Sequence, residues 1–350
     1  MKFRNLLLAL AFIGLGYTAQ AQSTESNATL EERVAQLETK SKAKSFADKY
    51  LNLSGYLQAG VSWADTDKTS FYIRRARLSL SGNIDAAKLD YRLQVDMAGS
   101  PKICDLYMRY TPFKELGVQI GQFKLPFSLE NALYGPTTFE FIEYSYLTML
   151  LVRNDKTFDG IAATGRDLGA QLYGGFIHRD GYSIINYNLG VFNGAGINNK
   201  DNNKSKDVIG RIIIKPIKGL SLSASYMYGE TNFNDNLYMK SPRWSVGAIY
   251  DVRHWIARAE YAEAKFGTGT TNAFYALAGY HFERPWSVVA RYEFLNTDIA
   301  GVQSQDRVTV GAVYKPIKYL RLQLNYSYTM YDQLKAENTH GLNLMVSAIF

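Results

Sequence analysis

Residues 70–82 read "SFYIRRARLSLSG". The stretch alternates apolar and polar like a half-buried strand, yet Arg74, Arg75 and Arg77 sit inside it. On a soluble sheet they would mark a solvated face. In a strand surrounded by lipid the logic reverses. Leu78 and Leu80 must face hydrocarbon, so Arg75, Arg77, Ser79 and Ser81 turn inward. Strict alternation then leaves Arg74 on the lipid side, close enough to the rim to snorkel.

The same alternation runs through the chain from Tyr50 onward. In "LRLQLNYSYTM", Leu320, Leu322, Leu324, Tyr326 and Tyr328 share one face, while Arg321, Gln323, Asn325, Ser327 and Thr329 share the other. "DRVTVGAVYKP" and the terminal "GLNLMVSAIF" repeat the pattern, and aromatic residues gather near strand ends as an interfacial girdle requires. Short turns carry a Pro-Lys signature at "TPFKELG", "KPIKGL" and "KPIKYL". Long polar ones such as "NGAGINNKDNNKSKD" fall between them. Short turns at one end and long loops at the other describe a transmembrane barrel. With "HRDG" at 178 also a periplasmic turn, parity gives an all-β fold, a 16-stranded antiparallel transmembrane β-barrel. A soluble β-sandwich would bury one face and wet the other, with no reason for aromatic girdles or a C-terminal Phe.

The N-terminus agrees. Lys2 and Arg4 precede an apolar run from Leu6 to about Gly16, followed by Ala19-Gln20-Ala21, which reads as a cleaved secretory signal over residues 1–21. Residues 22–49 form a short periplasmic segment in which Leu30, Val34 and Leu37 lie at helical spacing. A brief coiled coil and a frayed helix both fit. Residues 50–350 are the transmembrane barrel. Mean hydropathy is only -0.20, as expected when each strand is apolar on alternate residues. One cysteine, Cys104, excludes an internal disulfide. The formal net charge of +7 falls to about +5 once Lys2 and Arg4 leave with the signal, and suits an anionic partner, an anionic surface or mere solubility.

Turning every polar face inward places about ten basic groups against about six acids in the lumen. Arg75, Arg77, Arg92, Arg109, Arg211, Lys215, Arg307 and Arg321 are the expected anion pathway. Arg75 and Arg77 lack an acid on their own strand face, whereas Arg258 beside Glu260 and Arg291 beside Glu293 suit local neutralisation. Residues 125–160 are too long and too aromatic for an ordinary loop. In a pore they fold inward as a constriction, with Glu140, Glu143, Arg153 and Lys156 as its candidate charges. Acids facing the opening would weaken anion selectivity.

"FYIRRARLSLSG", "GQFKLPFSLE" at 121, "RDLGAQLYGGF" at 166 and "YNLGVFNGAG" at 187 resemble the recurring segments of the phosphate-selective porin O and P family. The resemblance runs through most of residues 50–350. It implies a 16-stranded outer-membrane barrel, usually trimeric, in which arginines lead anions such as phosphate to a basic constriction. Arg75 and Arg77 match its arginine-rich second strand, and Lys124 lies in the segment leading to its constriction loop, so the resemblance implies that Lys124 joins the anion pathway. The acidic loop departs from a strongly basic eyelet.

The expectation is therefore passive diffusion of small hydrophilic solutes with a preference for anions, in a homotrimer held in outer-membrane lipid. A weakly selective general porin and a structural or adhesive barrel without channel activity are the alternatives. No cofactor, metal or nucleic-acid partner is expected, and no nucleophile motif accompanies His178, His254, His281 or His340. An energised receptor would need a plug domain that the 28 or so residues ahead of the first strand cannot form.

Overall fold

The structure is a computed structural model. It describes residues 50–152, 164–201, 203–234, 237–267, 269–283, 285–299, 301–332 and 337–350. The expected leader and helical pattern before Tyr50 lie outside the described residues, as do Arg153 and Lys156.

Strands β1 (Asn52–Ala64), β2 (Asp67–Ile84), β3 (Leu89–Asp96), β4 (Lys102–Phe113), β5 (Leu116–Lys124), β6 (Arg166–Arg179), β7 (Tyr182–Phe192), β8 (Asp207–Ile214) and β9 (Leu220–Tyr228) form the first half of the chain. A separate hairpin follows, β10 (Glu230–Asn234) and β11 (Leu237–Lys240). Then come β12 (Arg243–Val252), β13 (Trp255–Phe266), β14 (Gly269–His281), β15 (Trp286–Thr297), β16 (Gln305–Ile317), β17 (Leu320–Tyr331) and β18 (Thr339–Ile349). All but the hairpin join one closed antiparallel barrel, in which β1 pairs with β18. That makes the 16 strands that parity requires. The hairpin arises where the chain between β9 and β12 pairs with itself, a feature that periodicity did not reveal.

Closure is the step that lipid demands, because an open sheet edge would leave backbone polar groups unpaired in hydrocarbon. Gly55 and Phe350 exchange backbone hydrogen bonds at 2.8 and 3.0 Å, so the terminal Phe joins the seam. The outer wall is apolar: Leu106, Met108, Ile120 and Leu324 are exposed side chains that in this setting face acyl chains. Near the short turns, Trp255 meets Tyr280 edge-on at 4.8 Å, and Trp286 lies 4.3 Å from Tyr314, building one girdle.

Alternation breaks in two instructive places. Gln58 pairs with Arg75 but Ala59 pairs with Ile73, so Arg74 is the extra residue of a β-bulge. The bulge turns Arg74 to the same side as Arg75. Its guanidinium meets Glu143 at 2.5 Å inside the barrel and does not snorkel toward lipid, which corrects the expectation for this residue. In β5, Gly121 adopts φ +126, a conformation that L side chains rarely enter. A Cβ there would also lie 2.1 Å from the Leu106 carbonyl oxygen.

Gly121→Ala should therefore lower barrel stability by about 1–3 kcal/mol. Urea titration in lipid vesicles, read by the heat-dependent gel shift of folded barrels, should give an earlier midpoint. An unchanged midpoint would show that the backbone relaxes at no cost.

Candidate functional site

The barrel is not filled by a core of its own. Residues 125–152 enter the lumen and supply one. Phe139, Phe141, Tyr144, Tyr146, Leu147, Leu150 and Leu151 are buried against Ile256, Ala262, Ala264, Phe266, Ala273, Tyr275 and Leu277 of β13 and β14. The inner face of these two strands is thus largely apolar, with three alanines making room, although polarity was expected of every inner face. Within the loop are a five-residue helix, α1 (Leu129–Leu133), and a π-helical turn, Leu147–Val152.

A loop inside a barrel must satisfy its backbone somewhere. Here the wall side chains do it. Glu260 accepts from the Leu129 N–H at 3.0 Å and from Ser128 Oγ at 2.9 Å, capping α1 from across the lumen. Glu293 accepts the Tyr146 N–H at 2.7 Å, and Asn325 Oδ1 accepts that of Ile142 at 2.7 Å. Arg291 donates to the Glu143 carbonyl at 3.1 Å, and Gln323 to that of Glu140 at 2.8 Å. Arg321 donates to the carbonyls of Pro136 and Phe139. The aromatics of the loop serve the same contact. Arg258 lies 3.5 Å from the centre of the Tyr134 ring, Arg307 4.1 Å from Tyr146 and Arg291 4.5 Å from Phe141. Burial raises the phenols of Tyr134 and Tyr146 above the ordinary tyrosine value even beside these guanidinium groups, so both rings stay neutral.

The loop acids are taken up by wall side chains as well. Glu130 is fully buried, with Ser145 Oγ donating to it at 2.6 Å and Arg291 3.6 Å away. Glu140 sits 3.5 Å from Arg258, and Glu143 is held by Arg74. Arg258 was expected beside Glu260 on its own strand. Glu260 is taken by the α1 terminus, so Arg258 turns to the loop. Arg291 does pair with Glu293, at 3.0 Å, and Arg307 shares that carboxylate at 2.8 Å.

On the opposite side a cavity of about 500 Å³ remains open between the loop and β1–β8. Its wall carries Arg77, Arg92, Arg109, Lys124, Arg166 and Arg211. Its loop side consists of Pro126, Ala132, Gly135, Pro136, Thr137 and Thr138, with no acid. Asp105 is the carboxylate in the lining, and Asp90 and Asp96 stand behind it. Arg77 meets Asp96 at 2.8 Å, Arg109 meets Asp90 at 2.7 Å, and Asp105 takes Arg166 at 2.6 Å with Arg92 at 3.5 Å. Arg77 therefore has an acid after all, supplied by the neighbouring strand through the Arg77–Asp96 register pair. Arg211 donates through Nη2 to Asn188 at 2.8 Å. Its Nε and Nη1 have no partner among the described residues.

Of the expected pathway, Arg77, Arg92, Arg109, Lys124 and Arg211 come together around the cavity. Arg75 is buried and donates to Gln58 at 2.9 Å, and Lys215 lies just past the end of β8. Arg307 and Arg321 face inward but are covered by the loop they hold, so they do not line the opening. Arg166, which pairs with Lys124 across β5 and β6, escaped the sequence reading. Strict alternation sets Lys124 opposite Gln119, yet both line the cavity, because Gly121 interrupts the regular strand between them.

The model of the family described as phosphate-selective porin O and P matches residues 55–254, more than half of the chain. The chain belongs to this family. It is an outer-membrane porin, with a fold and family that point to a channel rather than an enzyme. No curated protein matches the sequence. Among solved structures, this porin is similar to an anion-selective porin from Comamonas acidovorans, with 16% identity and a TM-score of 0.68 over 86% of this chain and 99% of that one. It is also similar to OprB of Pseudomonas putida, with 10% identity and a TM-score of 0.69 over 90% and 97% of the two chains. The trimer form of OmpT from Vibrio cholerae gives 13% identity and a TM-score of 0.63 over 86% and 99%. At such identities the likeness is one of fold.

Arg291→Gln should loosen the porin's loop, since removing one member of a buried charge cluster costs about 3–5 kcal/mol. Planar-bilayer recording should show larger, noisier single-channel steps. Arg92→Gln, on the open wall, should leave the noise as it is, and equal noise in both variants would disprove the anchoring role.

Proposed function

We propose that this porin passes small hydrophilic solutes by diffusion with a preference for anions, phosphate being the leading candidate. The observation that carries this reading is the division of charge across the constriction. The loop presents only neutral residues to the cavity while its described acids are turned into the wall, and the facing wall presents six cations against Asp90, Asp96 and Asp105. Six positive charges against three negative leave an excess of about three in a narrow, low-dielectric space, which concentrates anions.

Guanidinium groups suit oxyanions because their planar donors match two oxygens at once. Arg92 and Arg109, about 40% exposed at the side chain, can replace part of an anion's hydration shell as it passes, and Arg211 in the lining of the same cavity adds its charge. Several weak sites in series permit flow where one tight site would stop it. The paired state of Arg77, Arg109 and Arg166 supports the milder alternative, a general porin with weak anion preference. Assembly as a homotrimer rests on the family resemblance and is checked by the sedimentation mass of the detergent-solubilised protein.

In a salt gradient across a planar bilayer the reversal potential should report anions as the more permeant ions, and phosphate should depress the chloride current. Arg92→Gln, Arg109→Gln and Arg211→Gln should each lower the anion-to-cation permeability ratio by about two- to fivefold, the effect of one unit charge at contact distance in a hydrated pore. Cation selectivity in the unaltered protein would defeat the proposal. Anion selectivity without phosphate competition would leave the general porin.

A further inference from the structure

One sequence pattern occurs three times and is not explained by the lumen. "PFKEL" at 112–116, "PIKGL" at 216–220 and "PIKYL" at 316–320 share the form Pro, apolar, Lys, any residue, Leu. They form the β4–β5, β8–β9 and β16–β17 turns, all at one end of the barrel. The proline has a backbone reason. The ladders skip a register between Tyr110 and Phe113 and between Tyr314 and Ile317, where a residue without an N–H loses nothing.

The apolar residue and the lysine have no such reason. Phe113 pairs with Leu116 and Ile317 with Leu320, and cross-strand partners share a face. Leu116, Val118 and Ile120 are on the lipid-facing side of β5, so Phe113 faces the same way. At the second copy the Leu220 N–H donates to the Ile217 carbonyl at 3.2 Å, the same spacing. Phe113, Ile217 and Ile317 are 64%, 58% and 58% exposed, wasteful in water and favourable at the edge of an acyl layer. Each is followed by an exposed lysine, Lys114, Lys218 or Lys318. Lys88 joins the first copy, donating to the Pro112 carbonyl at 2.7 Å and lying 5.5 Å from the Phe113 ring. The one acid within the three turns, Glu115, is engaged by His178 at 2.9 Å. The Trp286–Tyr314 pair marks the interfacial level beside the third copy.

We infer that these three turns are binding sites for anionic glycerophospholipid headgroups of the leaflet at the short-turn end. The apolar side chain enters the acyl boundary, and the lysine ammonium holds the phosphodiester. The inference rests on the barrel spanning a membrane and not on which solute the lumen passes.

Native mass spectrometry of the full protein, released from micelles doped with phosphatidylglycerol or phosphatidylcholine, tests it. Phosphatidylglycerol should be retained the more strongly, and K114Q/K218Q/K318Q should weaken its retention by about fivefold per lysine. Ile217→Ser with Ile317→Ser should weaken both lipids alike. Millimolar inorganic phosphate should displace neither. Equal retention of the two lipids, wild-type retention by the lysine variant, or displacement by free phosphate would each overturn the inference. The heat-dependent gel shift verifies that the variant is folded, and the single variant K318Q provides the same reading if the triple one is not. Ion selectivity should stay unchanged in K318Q, so loss of lipid binding and loss of anion preference are separable results.

Discussion

Hydrocarbon offers no hydrogen-bond partner, and that constraint organises the molecule. A sheet in lipid must close on itself, so β1 finds β18 and the backbone of the terminal Phe350 is drawn into the seam with Gly55. Once the sheet is closed, the outside belongs to acyl chains. Polar side chains have one place left to go, and strand arginines such as Arg77, Arg92, Arg211 and Arg291 are collected in a lumen that no longer resembles bulk water.

The lumen then divides by what each arginine meets. On the β13–β17 side Arg258, Arg291, Arg307 and Arg321 are buried under the inward loop, where they bind its carbonyls, acids and aromatic rings. On the β3–β8 side Arg92, Arg109 and Arg211 stay in contact with the cavity. The same residue type thus builds the constriction on one wall and sets its potential on the other. The loop acids make this compatible. Turned toward the opening they would cancel the field of the far wall. Turned back, they fasten the loop instead.

Removing water explains why anchoring by charges succeeds here. A surface pair of this kind contributes little. Glu293 is fully buried between Arg291 and Arg307 and also accepts the Tyr146 amide, so its lone pairs are filled and leaving any partner out exposes an uncompensated charge. A loop fixed in this way holds a narrow opening of constant shape.

Strand number, strand faces, the inward loop and the inward course of Arg77 were legible in the sequence, because a period of two residues against lipid leaves no choice of side. Alternation missed two shifts. Arg74 turned inward through a β-bulge, and Lys124, which only the family resemblance puts on the pathway, joined Gln119 on the cavity beyond the irregular backbone of Gly121. Both shifts depend on backbone geometry that alternation assumes to be regular. The partners of the charges were also hidden. Asp96 reached Arg77 from the next strand, and Glu140 drew Arg258 away from Glu260, since ion pairs follow distance across the barrel and not order along the chain. By itself the sequence determined a closed barrel with a basic interior. Only the tertiary structure decided which of those charges face a passing ion, because that depends on which wall the loop covers.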